Sequence, residues 1–326
     1  MMIMRNTLPN LRCLLPCAAG VLAFASTSAD AQSFGYTNCD LIAGFRIAGG
    51  SSDMVVDLGP VGTYEKMSPH TTVQLTQFSS DQINDALPTL NGISWAVMAA
   101  QRGNTSYPED PLQTLWVTSP WLVPTSPGVT WQCQSKWTQG GPASQIEAIG
   151  SGAALYANAQ PVGTDNTDTA IVIASSSQYA YTVLMGTYGD LSGTFQGNVE
   201  NTTPDDFDLA GIVSRSVLFK LTPSSDGGPG TVVGYFDFKP DGTLWFTAGA
   251  PPQATTIDGI SVEGNTVSIW FSTVNQVNYR IRYCDGAPAP DLSNWTIGSN
   301  LVGTGKTLSF QDTLSTTNRY YVIEAY

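Results

Sequence analysis

The sequence predicts a mainly β protein: a large β-sandwich-like domain with one or two short helices, followed by a small C-terminal β-sandwich. Three observations support this prediction. Short runs rich in β-branched and aromatic residues recur along the chain, each bounded by Gly, Pro, Asn or Asp. A hairpin is clearly indicated at residues 231–247. From residue 257 onward, polar and apolar side chains alternate, as they do in the strands of a sandwich.

The first 31 residues have the pattern of a cleavable signal peptide. Arg5 and Arg12 make its start positive, and the apolar run at residues 13–25 is too short to span a bilayer. Ala29-Asp30-Ala31 fits the small-x-small motif that a signal peptidase cleaves, so the mature chain is expected to begin at Gln32. The protein is therefore expected to be secreted or held at the cell surface.

Composition limits the classes of partner. The 326 residues include 26 acidic and 13 basic side chains, which gives a formal net charge of −13. An acidic surface poor in Lys and Arg repels phosphate backbones and anionic lipids, so binding to nucleic acid or to a membrane surface is disfavoured. After the signal peptide no apolar run reaches about 18 residues, so no membrane insertion is expected once it is removed.

Residues 32–249 are expected to form the larger domain. Its clearest strands are predicted at residues 40–48, 54–58, 73–78, 93–99 and 115–117. A short helix is expected at residues 79–87, capped by Ser79 or Ser80 and followed by Pro88. A second helix is expected at residues 142–158, with its proline in the first turn, although two glycines weaken this pattern.

The predicted hairpin has a defined turn and a defined apolar face. Val232, Phe236 and Phe238 share one face of its first strand by alternation. Lys239-Pro240-Asp241-Gly242 fits a type I turn followed by a residue in the left-handed conformation. The small-residue, proline-containing stretch at residues 250–256 then predicts a linker between two domains.

The C-terminal domain is expected to span residues 257–326. Its inward-facing positions are predicted to be Val267, Ile269, Phe271, Tyr279, Ile281, Tyr283, Leu308, Phe310, Tyr321 and Ile323. The segments NTVSIWFSTVNQVNYRIRY, TLSFQDT and NRYYVIEAY resemble the fibronectin-III-like modules that end many exported bacterial proteins. The resemblance implies a small fibronectin-III-like β-sandwich.

Four segments of the larger domain carry a second resemblance. They are DLIAGFRIAGGSSDMVVDLGPV, LNGISWAV, FQGNVENTTPDDFD and GTVVGYFDFKPDGTLWFTA. Over residues 39 to about 250 the chain resembles a group of uncharacterised exported bacterial proteins, some of which bear PEP-CTERM sorting tails. The resemblance implies export but no activity. This chain departs from the sorted members, because it stops at Tyr326 without a Pro-Glu-Pro signal or a hydrophobic tail.

Three cysteines remain after the expected cleavage: Cys39, Cys133 and Cys284. In an oxidising compartment the simplest arrangement is one disulfide and one leftover thiol. Cys39 and Cys133 are the favoured pair because both lie in the larger domain, and three free buried thiols are the alternative. The chain has one histidine and no C-x-x-C pair, which nearly excludes a zinc site built from Cys and His.

Few residues point to catalysis. His70 is the only histidine, and the sequence has no G-x-S-x-G elbow to accompany it, so a surface loop is its expected place. Paired carboxylates remain possible as catalytic groups, because glycoside hydrolysis needs one acid and one base or nucleophile. The acidic residues include Glu65, Asp110 and Glu147. A carboxylate-dependent glycan hydrolase is therefore the alternative function.

Two groups of residues are candidates for ligand binding. Asp205, Asp206 and Asp208 are oxygen-rich and suit calcium, although turn formation or helix capping by aspartate is the favoured explanation. Four tryptophans crowd residues 116–137. Most are expected in the core, but Trp121 and Trp137 lie in less strand-like sequence, where exposed rings suit stacking on sugars.

The function expected from the sequence is non-catalytic. The chain is interpreted as an exported structural, adhesive or polysaccharide-associated protein of the cell surface or extracellular matrix. Its expected partners are a surface or matrix polysaccharide, or other surface proteins. No cofactor is expected apart from the calcium suggested by the aspartates.

Overall fold

A computed structural model describes residues 34–103, 109–121, 129–159, 166–192, 195–210, 212–251, 255, 257–273, 278–286, 295–314 and 318–325. The fold is mainly β, as predicted, with a large curled antiparallel sheet and two small sheets. The expected signal peptide at residues 1–31 lies outside the described residues. So does most of the expected linker, and the domain boundary stays a prediction.

The larger sheet contains ten strands, one of which, β7, pairs only with β4. The strands of this region are β1 (Asp40–Ile47), β2 (Ser52–Pro60), β3 (Thr72–Gln74), β4 (Ile93–Ala100), β5 (Leu115–Trp121), β6 (Ala170–Ala174), β7 (Asn201–Thr202), β8 (Ser214–Leu221), β9 (Thr231–Phe238) and β10 (Leu244–Ala248). Their order across the sheet is β3-β10-β9-β8-β5-β4-β1-β2-β6. Four of the five predicted strands are confirmed within a few residues, and the third is shortened to β3.

The sheet curls strongly around an aromatic core. β1 and β9 are four strand spacings apart, or about 19 Å across a flat sheet. Nevertheless the rings of Phe45 and Phe238, one from each strand, lie 5.4 Å apart. Trp95 and Phe207 also pack on Phe238. These rings meet because the sheet bends round them, which places the core on its concave face.

Residues 75–78, which we call the closing segment, link the two edges of the curled sheet. The N–H of Leu75 donates to the carbonyl of Leu244 in β10. The Gln77 side chain donates to the carbonyl of Leu58 in β2, and Gln77 itself accepts a 2.6 Å hydrogen bond from Thr169 just before β6. The closing segment therefore joins the β10 side of the sheet to the β2–β6 side.

Five helices accompany this sheet: α1 (Val61–Glu65), α2 (Ser80–Ala86), α3 (Lys136–Asn158), α4 (Tyr181–Met185) and α5 (Phe207–Ala210). The expected first helix is confirmed as α2, where Ser79 and Gln82 form a capping box. The second expected helix is α3, but it begins six residues before Pro142 and has Ser135 as its cap. The Gly-Gly-Pro run that marked the expected start lies inside the helix.

Helix α3 packs on the convex face of the sheet through a small-residue contact. Its inward residues, among them Ile146 and Ala153, belong to a second core with residues of β1, β2, β4 and β5. At Gly150 an added Cβ would lie 2.5 Å from the Tyr36 ring and 2.6 Å from Ile42 Cδ1. The glycine that weakened the helix prediction therefore lets the helix approach the sheet.

The predicted hairpin is confirmed, with one correction. Gly242 donates to the carbonyl of Lys239 and has a φ of 80°, as expected for a type I turn followed by a left-handed residue. Val232, however, packs into the core between the sheet and α3, whereas Val233 packs against the aromatic core on the other face. A register shift opposite Leu218 and Phe219 inserts one residue into β9, which reverses the alternation at its start.

The C-terminal residues form two three-stranded antiparallel sheets with a core of their own. The strands are β11 (Ile257–Glu263), β12 (Thr266–Ser272), β13 (Asn278–Asp285), β14 (Thr296–Val302), β15 (Thr307–Thr313) and β16 (Arg319–Ala325). The sheet orders are β11-β12-β15 and β14-β13-β16. Rings of the two sheets meet at Phe271 and Tyr279, 5.7 Å apart. Of the predicted inward positions, five are buried, and Leu308, Phe310, Tyr321 and Ile323 are half-buried against this core. Tyr283 is half-buried and lies under the Arg319 guanidinium.

Candidate functional site

The four clustered tryptophans divide between core and surface. Trp116 and Trp131 are fully buried, and their indole N–H groups donate to Glu65 and to the carbonyl of Thr118. Trp121 ends β5 and is half-buried against the α3 side of the sheet. Trp137 is 93% exposed. The expectation of an exposed ring is met at Trp137 and not at Trp121.

The first turn of α3 explains why Trp137 points outward. Gln139 is fully buried, and its side-chain amide donates to the carbonyls of Gln113 and Leu221 while accepting from the N–H of Gln134. Successive helix residues are rotated by about 100°, so a position two residues earlier faces nearly the opposite way. Anchoring Gln139 to the sheet therefore directs Trp137 into solvent.

An open cleft of about 670 Å³ lies beside this ring, and we call it the Trp137 cleft. Its described lining consists of Arg102, Gln113, Lys136, Trp137, Gly140, Gly141 and Ser144. The lining combines one indole, two cationic side chains and small residues, and none of these residues is acidic. Its volume falls within the roughly 300–1,000 Å³ range of ligand pockets.

Gln113 is the strained residue of the Trp137 cleft. Its φ of 76° is unusual for a residue with a Cβ. Its Oε1 atom is buried and has no hydrogen-bond partner among the described residues. Strained backbone conformations cluster at ligand and active sites, and a buried polar atom without a protein partner can take one from a water or a ligand. Both features therefore favour this cleft as a ligand site.

Trp121 and Trp137 do not form one platform. The start of α3 is tied to Gln113, which lies just before β5, whereas Trp121 is the last residue of that strand. The length of β5 separates the two ends by about 20 Å. One sugar unit therefore cannot stack on both Trp137 and Trp121.

The expected calcium ligands do not gather into a metal site. Asp205, Asp206 and Asp208 are all exposed, and Asp208 lies in the first turn of α5. Within the described ranges, no three or more His, Cys, Asp or Glu residues are grouped so that they could hold a metal ion. The alternative account, in which these aspartates shape a turn and a helix start, fits the observed positions.

The expected Cys39–Cys133 disulfide is absent, and both residues are free thiols. Cys39 is fully buried, where its sulfur contacts the carbonyl of Ala100 and the side chain of Gln101. Burial, with the charge of Asp110 adding to it, raises the pKa of Cys39 to about 12. The Cys133 thiol instead faces the carbonyl of Pro229. The two sulfurs thus have separate surroundings, which sequence spacing did not show.

His70 occupies an exposed loop, as expected. It has a φ of 65°, and its N–H donates to the carbonyl of Ala248. This loop precedes β3, at an edge of the large sheet.

A buried pair of carboxyl groups was not predicted from the sequence. Asp40 on β1 and Asp57 on β2 are 6% and 4% exposed and are hydrogen-bonded to one another. Asp57 also accepts from the N–H of Gly59, and Asp40 accepts from the N–H of Thr37. Both line a cleft of about 440 Å³ beside the closing segment. The sequence pattern predicts that Asp40 and Asp57 lie in strands. Only the pairing of β1 with β2 brings their side chains together.

The pKa values of both carboxyl groups are raised in the folded protein. Burial raises the pKa of Asp57 most, the N–H of Gly59 lowers it in part, and the charge and hydrogen bond of Asp40 raise it further, to about 7. Burial also raises the pKa of Asp40, against the lowering effect of its hydrogen bonds from Thr37. The two groups therefore titrate as a coupled pair, in which a proton held by one carboxyl group is donated to the other.

A third group of charges is held together by Lys220. Its ammonium lies 2.9 Å from Glu65 and 2.7 Å from Asp110, and it also sits over the Trp116 ring. The ammonium fills the space between the two carboxylates. This arrangement offsets part of the negative charge of the two acids and leaves no room between them for a sugar.

Comparisons of the chain with family models, with curated proteins and with solved structures found no match. The resemblances drawn from sequence segments therefore remain expectations. No helix in the described part of the chain is long and apolar enough to cross a membrane.

Proposed function

We propose that this protein is an exported, non-catalytic component of the cell surface or extracellular matrix that binds a polysaccharide at the Trp137 cleft. The observation that carries the proposal is the 93% exposed indole beside an open cleft. An indole kept in solvent loses the benefit of burial, which makes it an unusual feature unless it meets a partner.

The shape and chemistry of the cleft support a sugar ligand. Pyranose rings present flat C–H faces that pack on an indole, while their hydroxyl groups need polar partners at the edge. Ser144 and Gln113 supply polar side chains to the same lining. A single ring in an open cleft stabilises a complex only weakly, which suits attachment to a repeating polymer through many copies.

A glycan hydrolase remains the competing class, and the carboxyl positions weigh against it. The described lining of the Trp137 cleft contains no Asp or Glu. Asp40 and Asp57 line another cleft, but they are hydrogen-bonded to one another. Glycosidases hold their two carboxyl groups roughly 5–10 Å apart around the sugar. Binding without turnover is therefore the better-supported function.

The test is retention of the mature chain from Gln32 on immobilised polysaccharides, with Trp137→Ala as the variant. We expect this change to weaken retention by about tenfold or more, because it removes the stacking surface. Stability should change by less than about 0.5 kcal/mol, since the ring is exposed. Thermal unfolding of each variant checks this second expectation.

Two matched tryptophan variants serve as controls. Trp270, 37% exposed on β12, and Trp121 should both be replaceable by Ala without loss of retention. Equal retention of wild type and Trp137→Ala would contradict the proposed site. Release of reducing sugar by the wild type would instead establish a hydrolase.

A further inference from the structure

Five of the eleven Lys and Arg residues in the described part of the chain form ion pairs with carboxylates. The described ion pairs join Arg46 to Glu200, Arg215 to Asp237, Lys220 to Glu65 and Asp110, Arg282 to Glu324, and Arg319 to Asp285 and Asp312. Arg102 and Lys136 have no such pair among the described residues, and both line the Trp137 cleft. Two cations without a described ion pair therefore line the same cleft as the exposed indole.

The surroundings of these two cations strengthen their field. With 26 acids against 13 bases, most of the surface is negative, so a lining with two cations and no described acid stands out locally. The Arg102 guanidinium also donates to Ser144, which holds it at the rim of the cleft. A guanidinium presents paired N–H donors to a carboxylate, and an ammonium adds a second positive charge.

We propose that the Trp137 cleft selects a polysaccharide whose sugars carry carboxylate groups, such as a uronic acid, over a neutral one. This inference rests on the proposed glycan-binding function. The sugar ring stacks on Trp137 while its carboxylate lies between Arg102 and Lys136. The pairing of a flat apolar surface with adjacent cations is what a carboxylated sugar requires, and a neutral sugar would leave both cations unused.

The net charge of the protein limits the ligand further. A polymer with a dense row of charges is repelled by the remaining acidic surface, even where two cations attract it. A polysaccharide in which carboxylated sugars alternate with neutral ones avoids most of this repulsion. The ligand class is therefore a glycan of low charge density with isolated carboxylates.

The experiment compares a carboxylated oligosaccharide with its carboxyl-reduced form, which has the same sugars and linkages without the charge. Wild type should bind the carboxylated form at least about tenfold more tightly in calorimetric titration. Arg102→Gln/Lys136→Gln should lose this preference and bind the two forms with equal affinity. Lys66→Gln/Lys306→Gln, which removes the same charge from exposed lysines that do not line the cleft, should keep it.

The outcomes separate the two proposals. Equal affinity of the wild type for both forms, with Trp137 still required, would overturn the carboxylate preference and leave the glycan-binding function intact. Tighter binding of a sulfated than of a carboxylated oligosaccharide would also overturn it. Failure to bind any oligosaccharide or polysaccharide would overturn both proposals. A preference that survives Arg102→Gln/Lys136→Gln would show that the selectivity lies elsewhere.

Discussion

At the scale of single residues, Asp40 and Asp57 place two largely buried acids beside a cleft. Their carboxyl groups are satisfied by backbone N–H groups and by one another, and no described salt bridge includes either residue. A buried acid of this kind makes stability depend on pH, because the folded chain holds a proton that the unfolded chain releases.

The direction of this dependence follows from the pKa of Asp57. That pKa is 3.8 in its ordinary state and about 7 in the folded protein. Between these values the folded chain binds more protons, so its stability falls as the pH rises from about 4 to about 7 and then levels off. The stabilising contribution of the proton on Asp57 is fully present below the ordinary pKa of 3.8. The raised pKa of Asp40 acts in the same direction.

Asp57→Asn should therefore stabilise the protein at neutral pH. The amide keeps an acceptor for Gly59 and gives Asp40 a neutral donor in place of a charge. We expect a gain of about 1–3 kcal/mol at pH 8 and little change at pH 4, measured by urea unfolding across the pH range. The exposed control Asp206→Asn should leave the pH profile as it is. A loss of stability at pH 8 would contradict the buried-pair account.

At the scale of elements, α3 depends on the absence of a side chain at one position. Gly150→Ala should destabilise the fold by about 1–3 kcal/mol, because the new methyl overlaps the Tyr36 ring and Ile42. This cost exceeds the gain in helix propensity, which is about 1 kcal/mol. Urea unfolding measures the difference.

A second glycine of the same helix provides the control. An added Cβ at Gly140 meets no atom within 4 Å, so Gly140→Ala should be neutral or stabilising by up to about 1 kcal/mol. Equal effects at Gly140 and Gly150 would show that helix propensity, and not the close approach to β1, determines the result.

Local rules predict some elements of this fold well. The hairpin turn and the capped helix α2 are predicted because a few adjacent residues specify them: Pro240 and Gly242 in one, Ser79 and Gln82 in the other. The start of α3 is missed since Gly140-Gly141-Pro142 resembles a boundary. Buried contacts of Gln139 and Ala143 stabilise the helix across it. Packing overrides propensity there.

The reversal at Val232 has a different cause. Alternation within β9 alone places this residue with Phe236 and Phe238, and the inserted residue becomes visible only from the pairing with β8. The Asp40–Asp57 pair is hidden in the same way. Contacts that depend on the register of two strands cannot be read from either strand separately.

At the scale of the whole molecule, the mainly β architecture follows from composition and alternation, but the curl of the sheet does not. The concave core needs Phe45 and Phe238 to meet across four strand spacings, and the closing segment needs Gln77 to reach both Leu58 and Thr169. These are long-range contacts. The exposed Trp137 was among the candidates from sequence, whereas Arg102 joins its cleft only in the folded chain.

The central claim is that a polysaccharide covers Trp137. The most direct measurement is oxidation of a chain spanning residues 32–326 with N-bromosuccinimide, which attacks accessible indoles, followed by mass spectrometric mapping with and without a retained polysaccharide. Without the glycan, Trp137 should be oxidised first, ahead of the less exposed Trp270. With the glycan bound, the account predicts that oxidation of Trp137 slows several-fold while that of Trp270 is unchanged. Oxidation of Trp137 at the same rate in the bound and free protein would contradict it.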